Sequence, residues 1–226
     1  MATALDLQEQ EQLDELKAFW KKYGNPITWL ITVVLMAFAA WNGWNWYQRD
    51  QGAKAAAMFD ALDQAAVAGD ADKAGRVFND LKERYPRTVM AQQGGLLAAK
   101  LQAEKGQTDA AKATLGWVAE NGSEDEYRAI AGLALAGVLL DAKQPDVALK
   151  ALDAVKAPTF AGLVADRRGD ALLALNKPAE AKAAYQAAWK AIDEKIDYRR
   201  LVEAKLTALG AAPVAPAADA ASGAAK

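Results

Sequence analysis

Residues 23–48 form 26 consecutive positions without a formal charge, in a chain whose Asp, Glu, Lys and Arg otherwise make up 25% of it. A helix of that length, rising about 1.5 Å per residue, outspans a hydrocarbon layer of roughly 30 Å. Its centre reads ITWLITVVLMAFAAW over residues 27–41. Phe19, Trp20, Tyr23 and Trp29 stand at one end of it, and Trp41, Trp44, Trp46 and Tyr47 at the other. Amphipathic rings collect at headgroup depth, so two aromatic belts identify a bilayer crossing, whereas a buried soluble helix supplies no reason for them.

Lys17, Lys21 and Lys22 precede the crossing closely, against Arg49 and Lys54 after it. That bias places the N-terminus in the cytoplasm and makes the segment an uncleaved signal anchor. A rival reading takes Ala37, Phe38 and Ala39 as a cleavage site that releases the rest of the chain. Against it stands a leader carrying Asp6, Glu9, Glu11, Asp14 and Glu15, unlike a basic targeting region. Residues 9–22, EQEQLDELKAFWKK, put Leu13, Leu16, Trp20 and Tyr23 on one helical face. This is a short lead-in helix resting on the bilayer surface, or else a contact for a cytoplasmic partner. Ala39 and Gly43 form a small-xxx-small pair with Asn42 and Asn45 beside it, suited to close helix approach or simply tolerated near the interface.

Beyond Arg49 the chain alternates Ala- and Leu-rich stretches with short Gly, Asn, Asp and Pro interruptions, and no strand-like alternation occurs. Four segments align: GDADKAGRVF at 69–78, GQTDAAKATL at 106–115, KQPDVALKAL at 143–152 and NKPAEAKAAY at 176–185. Each opens on a turn residue or its substitute, carries an alanine (Ala74, Ala111, Ala148, Ala181), and places Phe78, Leu115, Leu152 or Tyr185 four positions later. The alanines recur at 37, 37 and 33 residues, close to the 34-residue period of tetratricopeptide repeats, which the array resembles. The small residue lets paired helices approach, and the large one fills the groove between them. Pro86 closes the first unit, and Gly169 takes the small position of the fourth unit's first helix. The second and third units lack the closing proline, and the third turns on Lys143 instead of glycine, so repeat boundaries are open by a few residues. Residues 198–209, YRRLVEAKLTAL, read as the polar-faced cap that an open solenoid end requires, with Gly210 ending the helix. The Ala- and Pro-rich tail that follows reads as disordered.

The expected fold is therefore all-α, an N-terminal transmembrane helix followed by an α-solenoid of degenerate tetratricopeptide-like repeats with a C-terminal capping helix. Its parts are a cytoplasmic leader 1–22, the membrane helix 23–48, the repeat domain 49–209 and a tail 210–226.

Chemistry is sparsely provided. The chain has no histidine and no cysteine, which removes imidazole bases, thiolate nucleophiles, disulfides and the commonest zinc ligands together. Ser123 sits in a turn-like NGSEDE stretch and Ser222 in the tail, neither with a histidine to activate it. Glu124, Asp125 and Glu126 read as a solvated turn, and Gly94-Gly95 is too short to cradle phosphate. A net charge of -2 with no basic stripe argues against nucleic acid. The expectation is a protein that is not an enzyme, with no catalytic, cofactor-binding or metal residues. A membrane-tethered prolyl isomerase, whose chemistry needs neither His nor Cys, would have to find room that the repeats already fill.

The acidic leader, the segment ELKAFWKKYGN at 15–25, one aromatic-flanked span and an Ala-rich repeat domain, in that order, resemble the YfgM family of bacterial ancillary SecYEG translocon subunits. The resemblance covers nearly the whole chain except the tail. It implies an inner-membrane protein whose repeat domain faces the periplasm and associates with the SecYEG translocon and the membrane-anchored chaperone PpiD. The tetratricopeptide register implies that Gln93, Leu96, Lys100, Leu133, Asp166 and Asp170 face the concavity as a partner-binding surface. A scaffold for another envelope assembly, such as cytochrome maturation or cell-wall synthesis, is the alternative.

Overall fold

The computed structural model describes residues 7–212, and side chains from residue 10 onward; the tail beyond 212 and residues 1–6 of the leader lie outside the described residues. Among the described residues every regular element is helical. Two compact units divide at Gln51 and Gly52.

Helix α1 runs Leu7–Val67, 61 residues, with Pro26 inside it. A separate lead-in helix before the membrane segment was the sequence expectation, and the backbone is instead helical throughout. Gly24, Asn25 and Pro26 are three consecutive poor helix formers, with Pro26 withholding one N–H, yet the helix runs through them. Within the first unit the hydroxyls are tied inward: Thr28 Oγ1 donates to the Gly24 carbonyl at 2.7 Å and Thr32 Oγ1 to the Thr28 carbonyl at 2.8 Å. That leaves neither hydroxyl unpaired in an apolar surrounding. The large apolar side chains point away from protein: Trp29 is 69% exposed and Trp41 70%. None of the apolar window is covered, whereas the core helix of a soluble domain would be mostly buried.

The second unit begins with residues 52–67 of α1 and continues through α2 (Ala71–Arg84), α3 (Val89–Glu104), α4 (Thr108–Asn121), α5 (Asp125–Asp141), α6 (Pro145–Asp153), α7 (Ala161–Ala174), α8 (Pro178–Ala191) and α9 (Tyr198–Ala208). A short 3₁₀ turn, Pro158–Phe160, precedes α7. Consecutive helices from α2 to α9 pack on one another, and α3 also touches α5 as α5 touches α7. Contact between alternate helices is the mark of stacked hairpins, in which first helices line up along one side and second helices along the other.

The four inner turns share one geometry. Gly69, Gly106, Lys143 and Asn176 have φ of 69°, 74°, 60° and 60°. At each, two backbone N–H groups close back on the preceding helix, as Lys143 N to Leu140 O and Gln144 N to Leu139 O, both at 2.9 Å. This left-handed cap is glycine's preferred use. Lys143 adopts it despite its Cβ, at a strain of about 1–2 kcal/mol, so the turn boundary left open by the sequence falls where its glycine counterparts put it. Pro145 and Pro178 then start α6 and α8 at a position where a missing N–H costs nothing.

The repeat alanines Ala74, Ala111, Ala148 and Ala181 are all fully buried, and Phe78, Leu115, Leu152 and Tyr185 are at most 3% exposed. Twelve residues before three of those alanines lie Ala99, Ala136 and Gly169. Side-chain sizes trade off across this pair of positions. Ala99 shares a core cluster with Leu115 and Ala136 one with Leu152, while Gly169 faces the larger Tyr185, whose ring stands 2.4 Å from where a Cβ on Gly169 would be. Gly95 and Gly132 sit as tightly, since a Cβ would fall 2.4 Å from Val118 and 2.6 Å from Val155 and force the neighbour to shift.

Candidate interaction surface

The rows α3, α5 and α7, adjacent in the stack, carry the six residues that the repeat register assigns to the concavity. On α3, half-buried Gln93 donates from Nε2 to the Tyr127 hydroxyl on α5 at 2.7 Å, bridging two rows. Leu96 is half-buried against the first core cluster, and Lys100 is exposed, 3.9 Å from Glu104. Leu133 on α5 is half-buried against the third core cluster. Of these four, Lys100 is exposed and the other three are half-buried.

Asp166 and Asp170 behave differently. Asp166 is fully buried. Lys205 of α9 donates to both Asp166 oxygens at 2.9 and 2.8 Å and to Asp170 Oδ1 at 2.7 Å. The Tyr198 hydroxyl, also on α9, donates to Asp166 Oδ2 at 2.6 Å, and the Tyr185 hydroxyl on α8 to Asp170 Oδ1 at 2.8 Å. Lys205 Nζ lies 5.2 Å from the Tyr185 ring centre, and Arg167 stands 3.4 Å from Asp170. The expected partner contact is therefore filled at Asp166 by the chain's own terminal helix, because a carboxylate removed from water must find cations and donors.

This network orders its own members. Burial first, then the bond to Asp170, holds the Tyr185 phenol far above its ordinary range; burial and the bond to Asp166 do the same for Tyr198. Both stay protonated, as donation to a carboxylate requires. Apolar docking of α9 is modest beside it. Val202 and Leu206 are its fully buried apolar side chains, at about 1.5–3 kcal/mol each, and Arg199 lies 4.0 Å over the Trp189 ring. A buried ion pair adds little net stability against an apolar replacement, yet deleting one partner costs about 3–5 kcal/mol.

The sequence reading placed Tyr185 in the groove but foresaw neither its bond to Asp170 nor those of Tyr198 and Lys205, because the three sit 15, 32 and 39 residues from the carboxylates they meet. One signal was present: Tyr198 and Lys205 are two helical turns apart on a single face of the cap. Buried Gln92 was missed as well. Its amide donates to Ser123 Oγ at 2.6 Å, giving that hydroxyl a structural partner at the turn into α5. Among the described residues no three carboxylates converge as a metal site.

A family model for a tetratricopeptide repeat-like domain matches residues 17–211. The chain belongs to that family. Because the match begins ahead of the apolar segment and ends beyond α9, this tetratricopeptide repeat-like family covers helix, repeats and cap together. Curated relatives carry the name ancillary SecYEG translocon subunit. That of Neisseria gonorrhoeae is 31% identical over 91% of this chain and 99% of its own length. That of Escherichia coli is 28% identical over 80% and 87%, and that of Haemophilus influenzae 26% over 82% and 90%.

Proposed function

We propose that this chain is a membrane-anchored scaffold that serves as an ancillary subunit of the SecYEG translocon and is not an enzyme. The single observation that carries this is the 31% identity to an ancillary SecYEG translocon subunit, covering 99% of that protein. The uncovered apolar window of α1 supports a permanent anchor in the inner membrane. The lysines before the apolar segment support a cytoplasmic N-terminus and a periplasmic repeat domain, where PpiD would be a partner. The surface offered to partners is the rim of the concavity, Gln93, Leu96, Lys100 and Leu133, while Asp166 and Asp170 are engaged by α8 and α9.

Crosslinking in intact membranes tests the assignment. Recovery of translocon subunits with this chain is the expected result, and an excess of recovered cytochrome-maturation or cell-wall enzymes, with no translocon subunit, contradicts it.

A further inference from the structure

Leu13, Leu16, Trp20, Tyr23, Ile27 and Leu30 follow one another at alternating steps of three and four residues, the spacing that lines one seam of a helix. The first four are 41%, 63%, 60% and 43% exposed. Within the hydrocarbon layer such exposure is covered by lipid, but this seam begins well ahead of it. Leu16 and Leu13 precede the uncharged stretch by seven and ten residues, about 10 and 15 Å along the axis, whereas the headgroup layer on each side adds only about 5–8 Å. A lead-in helix lying on the bilayer surface would cover both, at the cost of a turn of about a right angle where it joins the crossing. The backbone is instead one unbroken helix from Leu7 to Val67, and a proline inside a helix kinks it without folding it over. The start of α1 therefore stands out from the bilayer with an apolar seam in water.

We propose that this seam is covered by the same seam of a second copy, the two α1 helices pairing in parallel from Leu13 to Leu30. The proposal rests on the reading of α1 as a membrane anchor and is independent of the translocon assignment. Charge placement favours a second copy over a different chain. Glu11, Asp14, Glu15, Lys21 and Lys22 take positions away from the seam, while the positions flanking it hold Gln10, Gln12, Phe19, Gly24, Pro26 and a single charge, Lys17. Lys17 is already paired with Asp14 of its own helix at 3.1 Å. In a parallel pair Gln12 of one copy meets Lys17 of the other, so no like charges face each other. Charges at the flanks are what select a different partner, and this helix is nearly without them. Two copies anchored in one membrane also enter it in the same direction and at the same depth, so their seams align in water and in lipid without any shift. Beside the seam, Phe19, Tyr23, Pro26, Ile27 and Leu30 border an apolar groove of about 280 Å³, room for a side chain of the facing helix.

The chain has no cysteine, so a single introduced thiol reports on a single position. Full-length Leu16→Cys and Ala18→Cys chains are oxidised in intact membranes and separated by mass without reductant. A disulfide forms only where two Cα atoms come within about 4.4–6.8 Å, which facing seam positions reach and outer positions, further apart by about a helix diameter of 10 Å, do not. Leu16→Cys is expected to give a species of twice the chain's mass in about tenfold or greater excess over Ala18→Cys. No doubled species from Leu16→Cys, equal amounts from both variants, or a link from Leu16→Cys to a different protein overturns the proposal. Should Leu16→Cys fail to accumulate, Leu13→Cys, on the same seam, carries the same test with the same outcomes. A chain found in the membrane fraction without the doubled species leaves the anchor standing and removes only the pairing, whereas a chain found free in the soluble fraction removes both.

Discussion

At the scale of single residues, the array is held by paired sizes more than by conserved shapes. Gly169 and Tyr185 occupy the positions that Ala136 and Leu152 occupy one unit earlier, with volume moved from one helix to the other. Gly169→Ala alone drives a Cβ to 2.4 Å from the Tyr185 ring and is expected to cost about 1–3 kcal/mol, the usual range for overpacking. Tyr185→Leu alone leaves a void and removes the hydroxyl that Asp170 accepts. Combined, the two substitutions recreate the Ala and Leu pair of the neighbouring unit. Urea denaturation of the four chains should show the double variant more stable than the sum of the singles by about 1 kcal/mol or more. Strict additivity would mean that the pair does not trade volume.

Among the elements, α8 and α9 share a pH signature through Tyr185 and Tyr198. An unfolded tyrosine ionises near pH 10, while burial and the carboxylate acceptors keep Tyr185 and Tyr198 protonated well above that. Above pH 10 the unfolded state sheds protons that the folded state retains, so stability is complete below pH 10 and declines as pH rises further, by up to about 1.4 kcal/mol per pH unit for each phenol. Lys205, Asp166, Asp170 and Arg167 surround the two hydroxyls. Denaturation midpoints measured from pH 8 to 11.5 should fall less steeply for the Tyr185→Phe, Tyr198→Phe double variant than for the unaltered chain. Parallel slopes would show that the phenols are not held as described. The elements themselves were legible because each inner turn, alanine and large apolar residue recurs every 33 to 37 residues, with the alanine and the large residue one helical turn apart. Two things were not. The continuity of α1 runs against its own sequence, because Gly24, Asn25 and Pro26 together suggest an end that the helix passes through. The occupancy of Asp166 depends on a helix 32 to 39 residues away, and spacing within one helix carries no trace of such a meeting.

For the whole molecule, an apolar helix with nothing of the protein covering it and a helical array rich in side chains suited to packing make different demands on solvent. The first is stable only in a bilayer and the second only in water, so the chain has to live at a membrane surface. The lysines ahead of the crossing favour keeping the short N-terminal end inside and sending the repeats across. The partner surface proposed for the concavity requires the partner to be on that far side. Protease added to intact spheroplasts measures this directly. The account predicts that the full-length chain stays in the membrane fraction and that its repeat domain is cleaved from outside without lysis. A repeat domain cleaved only after lysis, or a shortened chain free in the soluble fraction, would contradict it.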